Sequence, residues 1–237
     1  MRTGRSSDLY ELYAFCGEGV REPLIDHLIE VSELCRKLCK YAGLDERVGA
    51  IAGLFHDVGK ALPEFQRNCS FGWHEAISFM VVSSLIERGV IGLGAIEGKA
   101  VQYAVLFHHQ AHRHIYEGIK KAPRIIRNNL SGLNTLSELS VHLVRHLGGE
   151  GIEAGEVERA VLSLGEGNIR KFTKGLFYVG GGHLSMREIA ILRAYSGALM
   201  VSDKYVSAIR RCKGDNSVYF KSVEALIKFI MESECVG

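Results

Sequence analysis

The chain has 237 residues, 47% of them hydrophobic and 24% charged, which excludes intrinsic disorder, collagen-like repeats and disulfide-dense miniprotein scaffolds and is enough for one sizeable core. Twenty-nine Lys and Arg against twenty-seven Asp and Glu leave a formal charge of +2, so a polyanion must be bound by a local patch rather than by the surface as a whole. Six cysteines without a C-x-x-C pair, and a polar start MRTGRSSD with no apolar leader behind it, predict reduced thiols in a soluble, cytoplasmic protein. Apolar runs such as GALMV fall far short of the roughly 18 residues of a membrane span.

Three prolines leave long stretches free to run as helix. Pro23 at a first helical position, followed by Leu24, Leu28, Val31, Leu34 or Cys35 and Leu38, predicts a helix over 23–42 that stops before Gly43. Asp45 as N-cap predicts a second helix through VGAIAGLFHD to Gly59. Further helices are expected over Trp73 to Arg88, Gly98 to His109 and Leu133 to His146. Between Gly148 and Gly182 glycines punctuate the chain, with a short helix near Val157 to Leu164 and a hairpin in LFYVGGGHLS. Ser185, with Glu188 three residues on, predicts the start of a long helix reaching Arg211, and SVEALIKFIMES forms a last amphipathic one. No repeat or low-complexity linker interrupts the pattern, so the expectation is an all-α helical bundle with one small β-hairpin, folded as a single domain over 1–237.

The segment GLFHDVGK (Gly53 to Lys60) ends an apolar helix in adjacent His56 and Asp57. Neighbouring helical side chains point about 100° apart, so this pair serves two metal ions only if the carboxylate bridges them, which singles out Asp57. Other candidate ligands stand on separate predicted helices: His27, His74, the pair His108 and His109, and Asp203. Bundles assemble metal sites in this way from inward-facing residues of different helices. Nitrogen and carboxylate donors without cysteine favour manganese, iron, nickel, cobalt or zinc over calcium, with magnesium open where substrate completes the shell. Blander readings stand beside each: His27 as a satisfied core histidine, His74 as a helix cap, and Asp203, after GALMVS, as a carboxylate in a salt bridge or in solvent.

Taken in order, His27, His56-Asp57, His74, His108-His109 and Asp203 resemble the HD superfamily of metal-dependent phosphohydrolases, whose minimal signature is H…HD…D. More specifically, GKALPEFQ (Gly59 to Gln66), HEAIS (His74 to Ser78), the LFHH segment and SDKYVSA (Ser202 to Ala208) resemble the HD nuclease of type I CRISPR interference systems. The chain lacks a G-x-x-x-x-G-K-[ST] phosphate loop, so it resembles the stand-alone nuclease subunit that works with a separate helicase. The resemblance implies an HD-domain bundle in which one ion is held by His27, His56, Asp57 and Asp203 and the other by Asp57, His74, His108 and His109. It places Lys60 near substrate phosphate. It also implies two-metal hydrolysis of single-stranded DNA in antiviral defence, with RNA or R-loop strands as further substrates, in company with that helicase and the crRNA-guided effector complex.

Downstream of the histidine pair, His112 and His114 in HHQAHRH either contact a scissile phosphate or lie exposed, and His112 is carried as a catalytic candidate. Lys120, Lys121, Arg124 and Arg127 in GIKKAPRIIRNN either track a nucleic-acid backbone or form a solvated charged face. Tyr103, Tyr116 and Tyr205 are candidates for base stacking, but aromatic residues at helical spacing are more often core. His142 and His146 have the spacing of a zinc-protease helix, but Leu143 stands where its glutamate is needed. Two other functions stay open: a phosphohydrolase of small nucleotides or cyclic nucleotides, and a helical scaffold without catalysis. HHQAHRHIYEG lacks the Gly-Tyr-Pro element of the cyclic-dinucleotide branch.

Overall fold

A computed structural model of the protein describes residues 8–17, 19–109, 115–148, 152–166, 178–179, 182–211 and 218–234. After a 3-10 turn (Asp8–Glu11), strands β1 (Tyr13–Gly17) and β2 (Val20–Pro23) pair antiparallel, and β2 runs directly into α1 (Leu24–Tyr41). The helices α2 (Glu46–Phe55), α3 (Pro63–Asn68), α4 (His74–Glu87), α5 (Ala95–Phe107), α6 (Ile115–Asn128), α7 (Gly132–His146) and α8 (Ala154–Leu162) follow. A short hairpin of β3 (Tyr178–Val179) and β4 (Gly182–His183) precedes α9 (Met186–Arg210) and α10 (Val218–Glu234). The all-α expectation and its hairpin in LFYVGGGHLS hold; the amino-terminal hairpin, α3 and α6 are additions to it.

The capping chemistry acts where the sequence places it. Asp45 accepts from the Arg47 amide at 2.7 Å, and Ser185 and Glu188 close a reciprocal box at the start of α9. Helix α5 begins at Ala95, earlier than Gly98, because the Glu97 carboxylate bonds back to the Gly94 amide at 2.7 Å. Helix α2 ends sooner than Gly59: it stops at Phe55, and a 3-10 turn (Val58–Ala61) takes over after Asp57.

The core runs through α1, α2, α4 and α5, where Leu24, Leu28, Ile51, Leu54, Phe55, Ile77, Phe79 and Met80 are fully buried. Helices α2 and α4 are apolar around most of their circumference because neighbours cover every side. Two glycines set the approach near the HD pair. A Cβ on Gly53 would lie 2.6 Å from the Ser32 Cα, so glycine lets α2 pack against α1, and a Cβ on Gly59 would collide with the His74 carbonyl oxygen.

The expectation of reduced thiols fails at one pair. Cys16 on β1 and Cys69 at the end of α3 form a disulfide with Cα atoms 5.7 Å apart. The sequence does not announce the pairing, because the hairpin and α3, separated by 53 residues, meet only in the fold. Cys35 and Cys39 are free and buried; Cys212 and Cys235 lie outside the described residues. Among the described residues, no helix is long and apolar enough to cross a membrane.

Candidate metal centre

Three of the histidines stand at helix ends. His56 caps α2, His108 caps α5 and His74 opens α4. At each, the Nδ1–H donates to the backbone carbonyl three residues back: His56 to Gly53 at 2.7 Å, His108 to Val105 at 2.6 Å, and His74 to Phe71. His27, in the first turn of α1, gives its Nδ1–H instead to the Glu22 carboxylate at 2.7 Å. With Nδ1 engaged, every ring turns Nε2 to a common centre, the tautomer that metal-binding imidazoles adopt.

Asp57 sits at that centre with its two oxygens facing different histidines. Oδ1 lies 2.8 Å from His74 Nε2 and 3.4 Å from His108 Nε2. Oδ2 lies 3.3 Å from His56 Nε2 and 3.6 Å from His27 Nε2. Asp203, reaching in from α9, brings Oδ1 to 3.3 Å from His27 Nε2 and 3.8 Å from His56 Nε2. Two groups result, His27 with His56, Asp57 and Asp203, and Asp57 with His74, His108 and His109, each with its ligand atoms within 4.8 Å of one another. All are buried except His109, which is partly exposed.

The donor set fits divalent transition ions. Asp57 Oδ1 and the Nε2 atoms of His74 and His108 are buried without a hydrogen-bond partner, while Oδ2 is paired with the Lys60 ammonium. Buried acceptors left in that state cost free energy that a cation removes. Burial opposes the charge on Asp57, but His56, Lys60 and His74 outweigh it and hold the carboxyl well below its usual range. Burial likewise opposes an ionised Asp203, and His27 and His56 overcome it. At His27, burial is outweighed by bonds to Asp203, Asp57 and Glu22, which raise the pKa to about 10. His109 moves the other way, to about 2, through burial and the neighbouring His108 and His74.

Lys60 is buried against Asp57 rather than open to solvent: its ammonium lies 2.5 Å from Oδ2 and donates to the Ala14 carbonyl at 3.0 Å. His112 lies outside the described residues, as does His114. Lys120, Lys121, Arg124 and Arg127 take no part in the cluster and line the exposed face of α6, whose other face buries Ala122 and Ile126. That helix nonetheless borders the site. The Lys121 ammonium stands 4.7 Å from the ring centroid of Trp73, the residue before His74. Tyr103 is buried and stacks on Phe107, Tyr205 is half-buried, and the Tyr116 side chain is outside the described residues. His142 meets Tyr10 edge-on instead of joining a metal group. Sequence reasoning missed Glu22; only its five-residue distance from His27 could have pointed to it.

A family model described as HD domain matches residues 24–191. No curated protein and no solved structure matches the chain. Five histidines and Asp57 of the two groups fall inside the matched span, whereas Asp203 lies beyond it.

Proposed function

The chain belongs to the HD-domain family, a family of metal-dependent phosphohydrolases, and from that membership we propose that it is a two-metal nuclease that cleaves single-stranded DNA. The observation that carries the reading is the division of Asp57: one oxygen toward His74 and His108, the other toward His27 and His56. In this reading His27, His56, Asp57 and Asp203 hold one ion and Asp57, His74, His108 and His109 the second. Bound there, the ions supply Lewis acidity toward a phosphoryl oxygen and toward the attacking water.

The protein's own groups do the rest. Four backbone or carboxylate acceptors lock the imidazole tautomers, so no ligand has to reorient when an ion arrives. Lys60 keeps Asp57 ionised and oriented between its two histidine pairs. The exposed Lys120, Lys121, Arg124 and Arg127 on α6 offer a polyanion a track that ends at Trp73, next to His74. His112 is the proposed contact for the scissile phosphate. The motif order supports a nuclease of a type I CRISPR system, acting with a helicase and a crRNA-guided effector complex.

One assay tests the substrate class. Purified protein with manganese, nickel or magnesium is offered labelled single-stranded DNA, duplex DNA and mononucleotides. Cleavage of the single strand is expected; preference for a mononucleotide would reject the nuclease and leave a small-nucleotide phosphohydrolase.

A further inference from the structure

Glu22 is 1% exposed and lies on β2, ahead of the helix that carries His27. Its two oxygens are both used: Oε1 accepts from His27 Nδ1 at 2.7 Å and Oε2 from Arg211 Nε at 3.1 Å. Arg211, the residue after α9, stacks its guanidinium 4.1 Å from the Phe15 ring centroid and donates a second bond to Ser207 Oγ at 3.2 Å. Ser207 in turn donates to Asp203 Oδ1 at 3.4 Å. One guanidinium therefore stands behind two members of the same group, reaching His27 through Glu22 and Asp203 through Ser207. Neither Glu22 nor Arg211 falls within the span matched by the family model.

We propose that Glu22, held by Arg211, is a positioning residue for His27, and that it acts on the group of His27, His56, Asp57 and Asp203 alone. The inference rests on the metal-centre reading above. Its physical basis is a contrast between the rings. His56, His74 and His108 donate Nδ1–H to neutral backbone carbonyls, whereas His27 donates to a carboxylate. A carboxylate partner locks ring orientation and makes the opposite nitrogen a stronger donor to a cation. The backbone carbonyls cannot be removed by substitution, but Glu22 can, so its contribution is separable from the rest of the site.

The test uses the full chain, stripped with a chelator and titrated with manganese by calorimetry, with His109→Ala marking the step that belongs to the other group. Glu22→Gln is expected to weaken the His27 step about ten- to a hundredfold, the range for loss of such an outer partner, and to leave the other step unchanged. Arg211→Gln is expected to weaken the same step by a smaller factor, because Glu22 stays bonded to His27. In the zinc-loaded protein, the imidazole N–H signal bonded to a carboxylate should lie downfield of those bonded to carbonyls. Glu22→Gln should move that signal alone, which a merely structural role would not do.

Unchanged manganese affinity in folded Glu22→Gln, or equal losses at both steps, overturns the positioning role while leaving the metal centre standing. If Glu22→Gln does not fold, Arg211→Gln decides by the same criterion, since its partly exposed side chain is the safer one to change. An unsubstituted chain that takes up no manganese overturns the metal-centre reading itself, and this inference with it.

Discussion

Lys60 holds its ammonium 2.5 Å from Asp57 Oδ2, with the Ala14 carbonyl taking another of its protons at 3.0 Å. It is thus an internal counter-ion to the carboxylate that both histidine pairs share. Removing one partner of a buried pair leaves an uncompensated charge and costs about 3 to 5 kcal/mol. Lys60→Met should therefore destabilise the chelated protein by about that amount, and by much less with saturating manganese, because cations then balance Asp57. Urea unfolding with and without manganese measures both; equal losses in the two conditions would contradict the compensation.

Asp57 faces four imidazole nitrogens across its two oxygens, so no other single residue serves both groups. Asp57→Ala should abolish turnover and lower bound metal while leaving helical circular dichroism intact. His146→Ala, an exposed change on α7, should leave activity as it is. Surviving cleavage in Asp57→Ala means that the bridging role is wrong.

The shifted histidines give stability and metal binding opposite pH trends. His27 has its folded pKa raised to about 10, so its contribution is fully present below its unfolded value of about 6.5 and is lost as pH rises toward 10. His109, lowered to about 2, stays neutral in the fold while the unfolded chain takes up its proton below about pH 6.5, so acid destabilises. The chelated protein should be most stable near pH 6.5, as read from melting temperatures. Manganese must displace the His27 proton, so its affinity should climb between pH 6.5 and 9 with measurable proton release. An affinity flat across that interval would rule out His27 as a ligand.

The ligand set is legible in the sequence because the chemistry admits few residue types and because each histidine falls at or near a helix end, where composition already marks a boundary. Asp203 is legible for a different reason: a carboxylate within GALMVSD must be either paired or exposed, and the fold pairs it with His27 and His56. The support around that set is hidden. Glu22 belongs to a strand of four residues, too short to show a period, and Cys16 finds Cys69 only through tertiary packing. Helix α6 reads in the sequence as a charged stretch rather than as a helix, because Pro123 and the dense Lys and Arg mask the spacing of Ala122 and Ile126.

The Cys16–Cys69 bridge ties to α3 the hairpin that carries both Ala14, which binds Lys60, and Glu22, which binds His27. Cys69 is exposed, so a reductant reaches it in the folded state. Cross-links closing loops of this order contribute about 2 to 4 kcal/mol. Cys69→Ser, or dithiothreitol on the parent chain, should lower stability by an amount in that range. The loss should exceed that of Cys35→Ala or Cys39→Ala only if the hairpin detaches, which limited proteolysis near Gly17 would reveal. A reduced protein with unchanged melting and protease resistance would show that the hairpin is held without the bridge.

The basic face of α6 separates substrate binding from chemistry. Lys120, Arg124 and Arg127 are exposed, and Ala122 and Ile126 on the opposite side are buried, so changing the three to Gln removes charge without disturbing the packing. Lys121 is left in place because it lies over Trp73. Each phosphate that is no longer neutralised should flatten the salt dependence of single-strand affinity by about 0.7 in the log–log slope. The triple variant should therefore bind single-stranded DNA more weakly at low salt, with a slope shallower by about 2, while hydrolysing a small phosphodiester such as bis-p-nitrophenyl phosphate at the parent rate. Filter binding across a salt series gives the slope, and steady-state kinetics gives the rate. An unchanged slope would place the DNA on another face, whereas a fall in small-ester hydrolysis would mean that α6 supports the metal groups themselves.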